Sequence, residues 1–414
     1  MLNDKKIVVA VTGSIAIYKT CELVRMYVKA GAIVRVVMSE AATKFITPLT
    51  FEALTRQTVL TQENESWSCD RNHIDFAKWA DLIVVAPASA NTINKISKGI
   101  ADNLLTQILL ASNAKKLIAP SANTAMLDNA HTVASIKMLK VNEYCVIEPQ
   151  EKLLACGDVG KGAMAEVETI FDESIKALHT DTFYKDRKVI VTSGGSIEKI
   201  DDVRYISNFS SGKMGASIAR WLYYKGADVF YLSFGKHDVP QGVYTLEVEN
   251  SRQMKEYLID AVRVAKKGKL SQVTMQSGPQ TLIQKKPFLF MVAAVSDYVP
   301  AFPQEGKLKK RMLGASWNLE LTQNEDILSC IDKTDIAVIG FKAETDINQA
   351  STNAKEMLHQ KNLDGVCLNV LNSSKDFGTN DNEITFFTKD KTLEFGRDTK
   401  ENLAYKLLES CKDL

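Results

Sequence analysis

A chain of 414 residues with 45% hydrophobic side chains is too long for one ordinary domain and rich enough in apolar residues for two cores. Its 51 basic and 50 acidic residues nearly cancel, so it lacks the electrostatic footprint of a nucleic-acid or membrane-surface binder. Seven scattered cysteines, with no C-x-x-C pair, argue against a disulfide framework or zinc cluster. With no apolar run long enough to span a bilayer and no signal-peptide core, they point to a cytoplasmic protein.

The first predicted strand, Ile7–Val11, runs into the small-residue turn Thr12-Gly13-Ser14. A helix follows over Ile17–Ala30, with Gly31 as its stop. Strands are expected at Ile33–Met38 and at Leu82–Ala86, the latter halted by Pro87. Residues 91–112 read as helix in two pieces, Lys116–Ala119 as strand, Thr124–Leu139 as helix and Tyr144–Ile147 as a short strand. Short continuous apolar runs alternating with helices are the pattern of a parallel sheet covered on both faces.

Periodicity lapses over 179–188 and restarts with VIVTSGGS at 189–196, a second strand entering a second small-residue turn. The expected division is therefore 1–182 and 187–414. Helices are predicted at Met214–Lys225 and Arg252–Ala265, and again from about Lys400. Strands are predicted at Val229–Leu232, Phe288–Ala294, Ile336–Phe341, Val366–Asn369 and Ile384–Thr388. Segment 266–286 has no acidic residue and contains Gly-Pro, which reads as an exposed insertion; 299–324 has the composition of a lysine-rich loop. The expected class is α/β with two doubly wound domains. The first is flavodoxin/Rossmann-like and the second Rossmann-like.

In such sheets ligands collect where strands end. Gly13 and Ser14 in the first turn, Ser39 at the end of the second strand and Ser89 after the third would meet at one edge and suit a phosphorylated planar cofactor. Without a full G-x-G-x-x-G, and with Met38-Ser39 where an acidic residue would meet a ribose, NAD is disfavoured. Three more residues stand near this edge. His73 alone would more often be structural, Asn123 reads equally as a helix cap, and Cys156 could be an inert thiol except that it lies in a glycine-rich loop.

The segments GSIAIYK, HIDFAKWAD, PASANTINKISKGIADNLL, P-x-x-N-x-x-M and ACGDVGKGAMAE, in that order, resemble the flavoprotein family of cysteine decarboxylases over essentially all of 1–180. The resemblance implies FMN. An N-acyl cysteine carboxylate has no electron sink beside its α-carbon, and oxidising the thiol to a thioaldehyde creates one, so that CO₂ leaves to give an enethiolate. By the same resemblance His73 is an acid/base for thiol oxidation, Asn123 holds the substrate carboxylate, and Cys156 supplies a proton from a flap that closes over the substrate. Ala122 and Leu127 depart from the Met and Trp usual in the family pattern.

Farther on, SNFSSGKMG, AAVSDY, KLKK and KNLD resemble phosphopantothenate–cysteine ligases over about 187–414. KLKK alone would read as a solvated surface run. The resemblance implies CTP with Mg²⁺, to which no residues are assigned. The substrate carboxylate attacks the α-phosphate, and the acyl-cytidylate is then taken by the cysteine amine. Asn208 would position the acyl-cytidylate and Lys307 neutralise the triphosphate. Asp297, Asn324, Asp326, Ile327, Phe341 and Lys361 would hold the nucleotide. Glu325 replaces a common Pro, and Met357 replaces a usual Lys, which predicts either weaker nucleotide affinity or a substitute cation such as Lys355.

Together the two resemblances are those of the bifunctional enzymes of coenzyme A biosynthesis. They imply conversion of 4'-phosphopantothenate and cysteine to 4'-phosphopantetheine by a homo-oligomer with flavin sites at subunit contacts. No nucleic-acid or membrane partner is expected. A peptidyl-cysteine decarboxylase would share the first half, but the second half argues against it.

Overall fold

Six consecutive residues of β1 (Lys6–Val11) are buried except the first, and β3 (Leu82–Ala88) is buried throughout, so both strands must be covered on both faces. With β2 (Ile33–Met38), β4 (Lys115–Pro120) and β5 (Cys145–Val146) they form a parallel five-stranded sheet in the order β2-β1-β3-β4-β5. One face, carrying Val8, Ala10, Ile83 and Val85, packs on Phe76, Ile93, Leu105 and Ile108. On the other, helix Ile17–Lys29 meets helix Val167–His179 through Tyr27 Oη and Ser174 Oγ, 2.6 Å apart and buried. The computed structural model describes residues 1–69, 71–154, 157–271, 273–275, 279–371 and 378–414.

Local chemistry explains where these elements depart from the sequence pattern. β3 continues through Pro87 to Ala88, with its pairing to β4 shifting between Val85 and Ala88, where the imide cannot donate to the ladder. The helix expected over Thr124–Leu139 is two, Thr124–Leu127 and Ala130–Val141. Asn123 Oδ1 accepts from Ala125 N at 2.9 Å and Asn129 Oδ1 from His131 N at 3.0 Å, so each Asn caps its own helix. The glycine-rich segment that contains Cys156 is an antiparallel hairpin, β6 (Gln150–Leu153) with β7 (Val159–Ala163). Cys156 itself lies outside the described residues.

Packing divides the chain into Met1–Thr180 with Gln272–Gln280, and Asp181–Ser271 with Thr281–Leu414. The second unit opens on β8 (Lys188–Ser193), followed by the ribbon of β9 (Ile197–Lys199) and β10 (Tyr205–Ser207). After helix Lys213–Tyr224 come β11 (Asp228–Phe234) and β12 (Tyr244–Val248), then helix Ser251–Ala265. Strands β13 (Lys269–Leu270) and β14 (Leu282–Ile283) pair within segment 266–286, where Leu270, Val273, Met275 and Leu282 are exposed.

β15 (Phe288–Met291) returns to the sheet, and β16 (Tyr298–Pro300) pairs with β17 (Leu321–Gln323) at the base of the lysine-rich loop. β18 (Ala337–Glu344), helix Ile347–Gln360, β19 (Gly365–Val370), β20 (Asp381–Thr388), β21 (Thr392–Thr399) and helix Lys400–Ser410 complete the unit. The sheet order is β12-β11-β8-β15-β18-β19-β20-β21. It is parallel from β12 to β19, and the last two strands run antiparallel. Among the described residues, no helix is long and apolar enough to cross a membrane.

Candidate active sites

Both sheets reverse their direction of growth at one point, between β1 and β3 in the first and between β8 and β15 in the second. Loops leaving adjacent strands there turn to opposite faces and leave a crevice. Each crevice is a cavity, of about 820 Å³ in the first unit and about 930 Å³ in the second.

The first cavity is braced by hydroxyls. Thr12 is buried; its Oγ1 donates to Pro87 O at 2.7 Å and accepts from Ser89 N at 3.0 Å, tying the end of β1 to the end of β3. Ser14 and Ser121 share a hydrogen bond of 3.0 Å. Ser39 Oγ accepts from Ala42 N at 3.3 Å, and Ser89 Oγ accepts from Thr92 N at 3.4 Å as cap of helix Ala90–Ser97. A Cβ on Gly13 would come within 2.7 Å of Ala41 Cβ, so the turn runs too close to 39–41 for any side chain. Gly13, Ser14, Ser39, Ser89 and Asn123 all line this cavity, with apolar walls from Leu105, Met126 and Leu154.

The β6–β7 hairpin covers one side. Ala122 N donates to Gly162 O at 3.1 Å, and Asn123 Nδ2 reaches Asp158 Oδ2 at 3.4 Å. Lys19 and Lys152, both on the lining, meet at Glu166: Lys19 Nζ lies 3.2 Å from its carboxylate, and Lys152 also bonds to it. The Lys152 bond, with Lys19 adding to it, holds the Glu166 carboxyl below the usual carboxylate range. His73 is not part of this lining. It opens helix His73–Trp79, its Nδ1 lies 2.7 Å from Glu65 Oε1, and its ring stands edge-on to Trp67 at 5.4 Å.

The second cavity repeats the device. Thr192 is buried, and its Oγ1 accepts from Val292 N and Ala293 N, each at 3.1 Å. That is why β15 stops at Met291 rather than running to Ala294. Ser196 Oγ accepts from Ser296 N at 3.0 Å. Two glycines allow close approach: a Cβ on Gly194, at φ +84°, would meet Phe234 O at 2.6 Å, and one on Gly215 would meet Ser193 Oγ at 2.4 Å. Helix Lys213–Tyr224 thus presses its first turn against β8, giving a helix N-terminus at the cavity edge without the dinucleotide fingerprint.

Asn208, Asp297, Asn324, Asp326, Ile327, Phe341 and Lys361 all line this cavity. Asn324 is fixed by its N–H to Asp297 O at 2.7 Å and its Nδ2 to Ser296 O at 2.8 Å. Burial pushes the Asp326 carboxyl up, but Lys361 Nζ at 2.9 Å and Ser329 Oγ at 2.8 Å outweigh it and hold the group below its ordinary value. Glu325 is paired with Lys255 at 2.6 Å. Met357 lines the cavity, whereas Lys355 does not: its Nζ sits over the Phe387 ring at 5.8 Å.

Besides Lys361, which the sequence reading found, the described lining holds three cations that it missed, Lys213, Lys342 and the buried Lys400. Lys213 Nζ donates to Gly378 O and Asn380 Oδ1, each at 2.8 Å, and Lys400 Nζ to Thr379 O at 2.6 Å. Lys400 opens the last helix, far from every motif, so no local signal could have found it. Lys307 is exposed on the loop between β16 and β17 and is not part of the lining. Among the described residues no cluster of three or more His, Cys, Asp or Glu side chains could cage a metal.

Two crevices, each at the switch point of its own largely parallel sheet, define a two-domain, doubly wound α/β protein of the ligand-binding kind. Residues 1–179 match the Flavoprotein family, and residues 184–268 and 262–414 match the DNA/pantothenate metabolism flavoprotein C-terminal domain. The chain is 37% identical over 399 residues to the coenzyme A biosynthesis bifunctional protein CoaBC of Bacillus subtilis, covering 94% of this chain and 92% of that one. To the CoaBC protein of Haemophilus influenzae it is 35% identical over 415 residues, covering 98% and 97%. A solved structure, of a PPC decarboxylase mutant complexed with pantothenoylaminoethenethiol, covers 42% of this chain and 97% of its own at 34% identity, with a TM-score of 0.38. The chain belongs to the CoaBC family of bifunctional coenzyme A biosynthesis proteins. Its two halves are a phosphopantothenoylcysteine decarboxylase and a phosphopantothenate–cysteine ligase.

Proposed function

We propose that the second unit joins cysteine to 4'-phosphopantothenate at the expense of CTP, and that the first decarboxylates the product to 4'-phosphopantetheine with FMN. The observation that supports this reading is the pair of hydroxyl-braced crevices, the first lined by Gly13, Ser14, Ser39, Ser89 and Asn123 and the second by Asn208 and the residues expected to hold the nucleotide.

FMN suits the first cavity: the Gly13 turn has no room for a Cβ, hydroxyls of Ser14, Ser39, Ser89 and Ser121 converge there, and the remaining walls are apolar. Bound there, the flavin supplies a reversible two-electron acceptor for the substrate thiol. Asn123, anchored by its own cap, would present its amide to the departing carboxylate, and Cys156 would return a proton to the enethiolate carbon. His73 is polarised by Glu65, and a homo-oligomer with sites at subunit contacts would bring it to a neighbouring cavity. In the second cavity Asn208 would orient the acyl-cytidylate. Asp326, Lys361 and Phe341 would seat the nucleotide, and Mg²⁺ would arrive on the triphosphate. The setting would be cytoplasmic.

The purified protein, given phosphopantothenate, cysteine and CTP, is expected to be yellow and to form CMP, CO₂ and phosphopantetheine. A colourless active protein would remove the flavin, and ATP serving at the same rate as CTP would overturn the nucleotide assignment.

A further inference from the structure

The loop that carries Lys307 is fastened on both sides of that lysine to the turn between β9 and β10. Gly306 N donates to Asp202 Oδ2 at 2.7 Å, and Asp202 N donates to Gly306 O at 3.3 Å. Leu308 N donates to Asp201 Oδ2 at 3.1 Å, and Arg204 Nη2 donates to Leu308 O at 3.1 Å. Just upstream, Gln304 N donates to Ile200 O at 2.9 Å, and downstream the Arg204 guanidinium lies over the Trp317 ring at 5.3 Å.

Asp201 is the hub. It is 2% exposed and also accepts from Val203 N at 2.9 Å, Arg204 N at 2.7 Å and Arg204 Nε at 3.0 Å. A turn of this length is closed by the two local backbone bonds alone. The remaining acceptor capacity goes to Arg204 and to the residue beside Lys307. The same ribbon ends at Ser207, one residue before Asn208 on the cavity wall. One hairpin therefore holds the root of the exposed lysine and leads directly into the asparagine.

We propose that Asp201 is a positioning residue of the ligase half, locking the backbone at Lys307 so that its ammonium and the Asn208 amide address one bound nucleotide in a fixed relation. The inference rests on the assignment of Lys307 to the triphosphate. A lysine stem is flexible, so fixing its Cα confines the reach of the cation, and a misplacement of about 1 Å is enough to weaken such a contact markedly. Asp202 is a second, weaker anchor of the same loop.

The test is ligase kinetics with CTP as the varied substrate, on full-length Asp201→Asn, Asp202→Asn, Lys307→Ala and the Asp201→Asn/Lys307→Ala double variant. Asp201→Asn is expected to raise the KM for CTP about tenfold with kcat within about threefold, and Asp202→Asn to raise it less. In the Lys307→Ala background Asp201→Asn should add nothing further, because it acts through that lysine. Loss of the ligase fold would instead depress kcat; should Asp201→Asn do so, Asp202→Asn decides in its place, alone and combined with Lys307→Ala. If Lys307→Ala leaves the KM for CTP unchanged, the assignment of Lys307 falls and takes the inference with it. If Lys307→Ala raises it while the aspartate variants do not, or if the effects multiply, only the positioning role is wrong.

Discussion

A single methyl can decide the close contacts at both crevices. Gly215 lies so near Ser193 that an added Cβ would stand 2.4 Å from Oγ, and Ser193 is itself committed to Gly212 O at 2.9 Å. Gly215→Ala is therefore expected to cost about 1–3 kcal/mol of stability, read by thermal melting, as the helix start is pushed off β8. Thr12 makes the opposite case, a loss rather than an intrusion. Thr12→Val keeps the shape but strands Pro87 O and Ser89 N in a buried site, at about 1–3 kcal/mol. Because Ser89 lines the cavity, flavin affinity should fall with stability, by about tenfold in a fluorescence titration. Unchanged flavin binding in a destabilised Thr12→Val would show that the brace serves the fold alone.

At the scale of elements, the β6–β7 hairpin is held to its own unit at Glu166, where Lys152 from the hairpin meets Lys19 from helix Ile17–Lys29. These groups are partly exposed, so the pairing is worth little to global stability. It should matter to local opening. Glu166→Gln is expected to speed amide exchange across 150–154 and 157–163 several-fold and leave β1 and β3 unchanged. The hairpin also marks what the sequence made legible. Long apolar strands stood out because burial on both faces writes an uninterrupted run, as at Leu82–Ala88. The hairpin did not, since its strands are short and mostly exposed and two of the five residues of β7 are glycine.

Helix Ile347–Gln360 was hidden for another reason. Its buried stripe is Ala350, Ala354 and Leu358, a spacing of four carried mostly by alanine, which contributes little hydrophobic signal. The site residues followed the same rule. Those in short motifs at strand ends, such as Ser14, Ser39, Asp297 and Asn324, reach the cavities. Lys355 did not take the place expected of it, because a helix turns about 100° per residue and carries its side chain away from the cavity that Met357 faces.

Over the whole molecule the carboxylates of the second unit set its response to acid. Asp201 lies well below the ordinary range, chiefly through Arg204, and Lys406 and Asn402 bring Asp398 down to about 2. A depressed folded value means that the stabilisation is complete above the unfolded pKa, about 3.9 for Asp, and is lost as pH falls through the folded one. Melting temperature should therefore hold steady down to about pH 5 and drop below about pH 4. The gap between the parent and Asp201→Asn should be widest at neutral pH and close toward about pH 2 in scanning calorimetry. A gap that widened in acid would mean that Asp201 is not held in its ionised form.

Thr12, through an N–H and a C=O, and Thr192, through two N–H groups and the Met291 sulfur, do their tying with protein groups alone and need nothing from a guest. Each doorway is thus propped open before anything enters. Little ordering is left to be done on arrival, so capture of a cofactor or nucleotide should be governed by encounter rather than by rearrangement of the mouth.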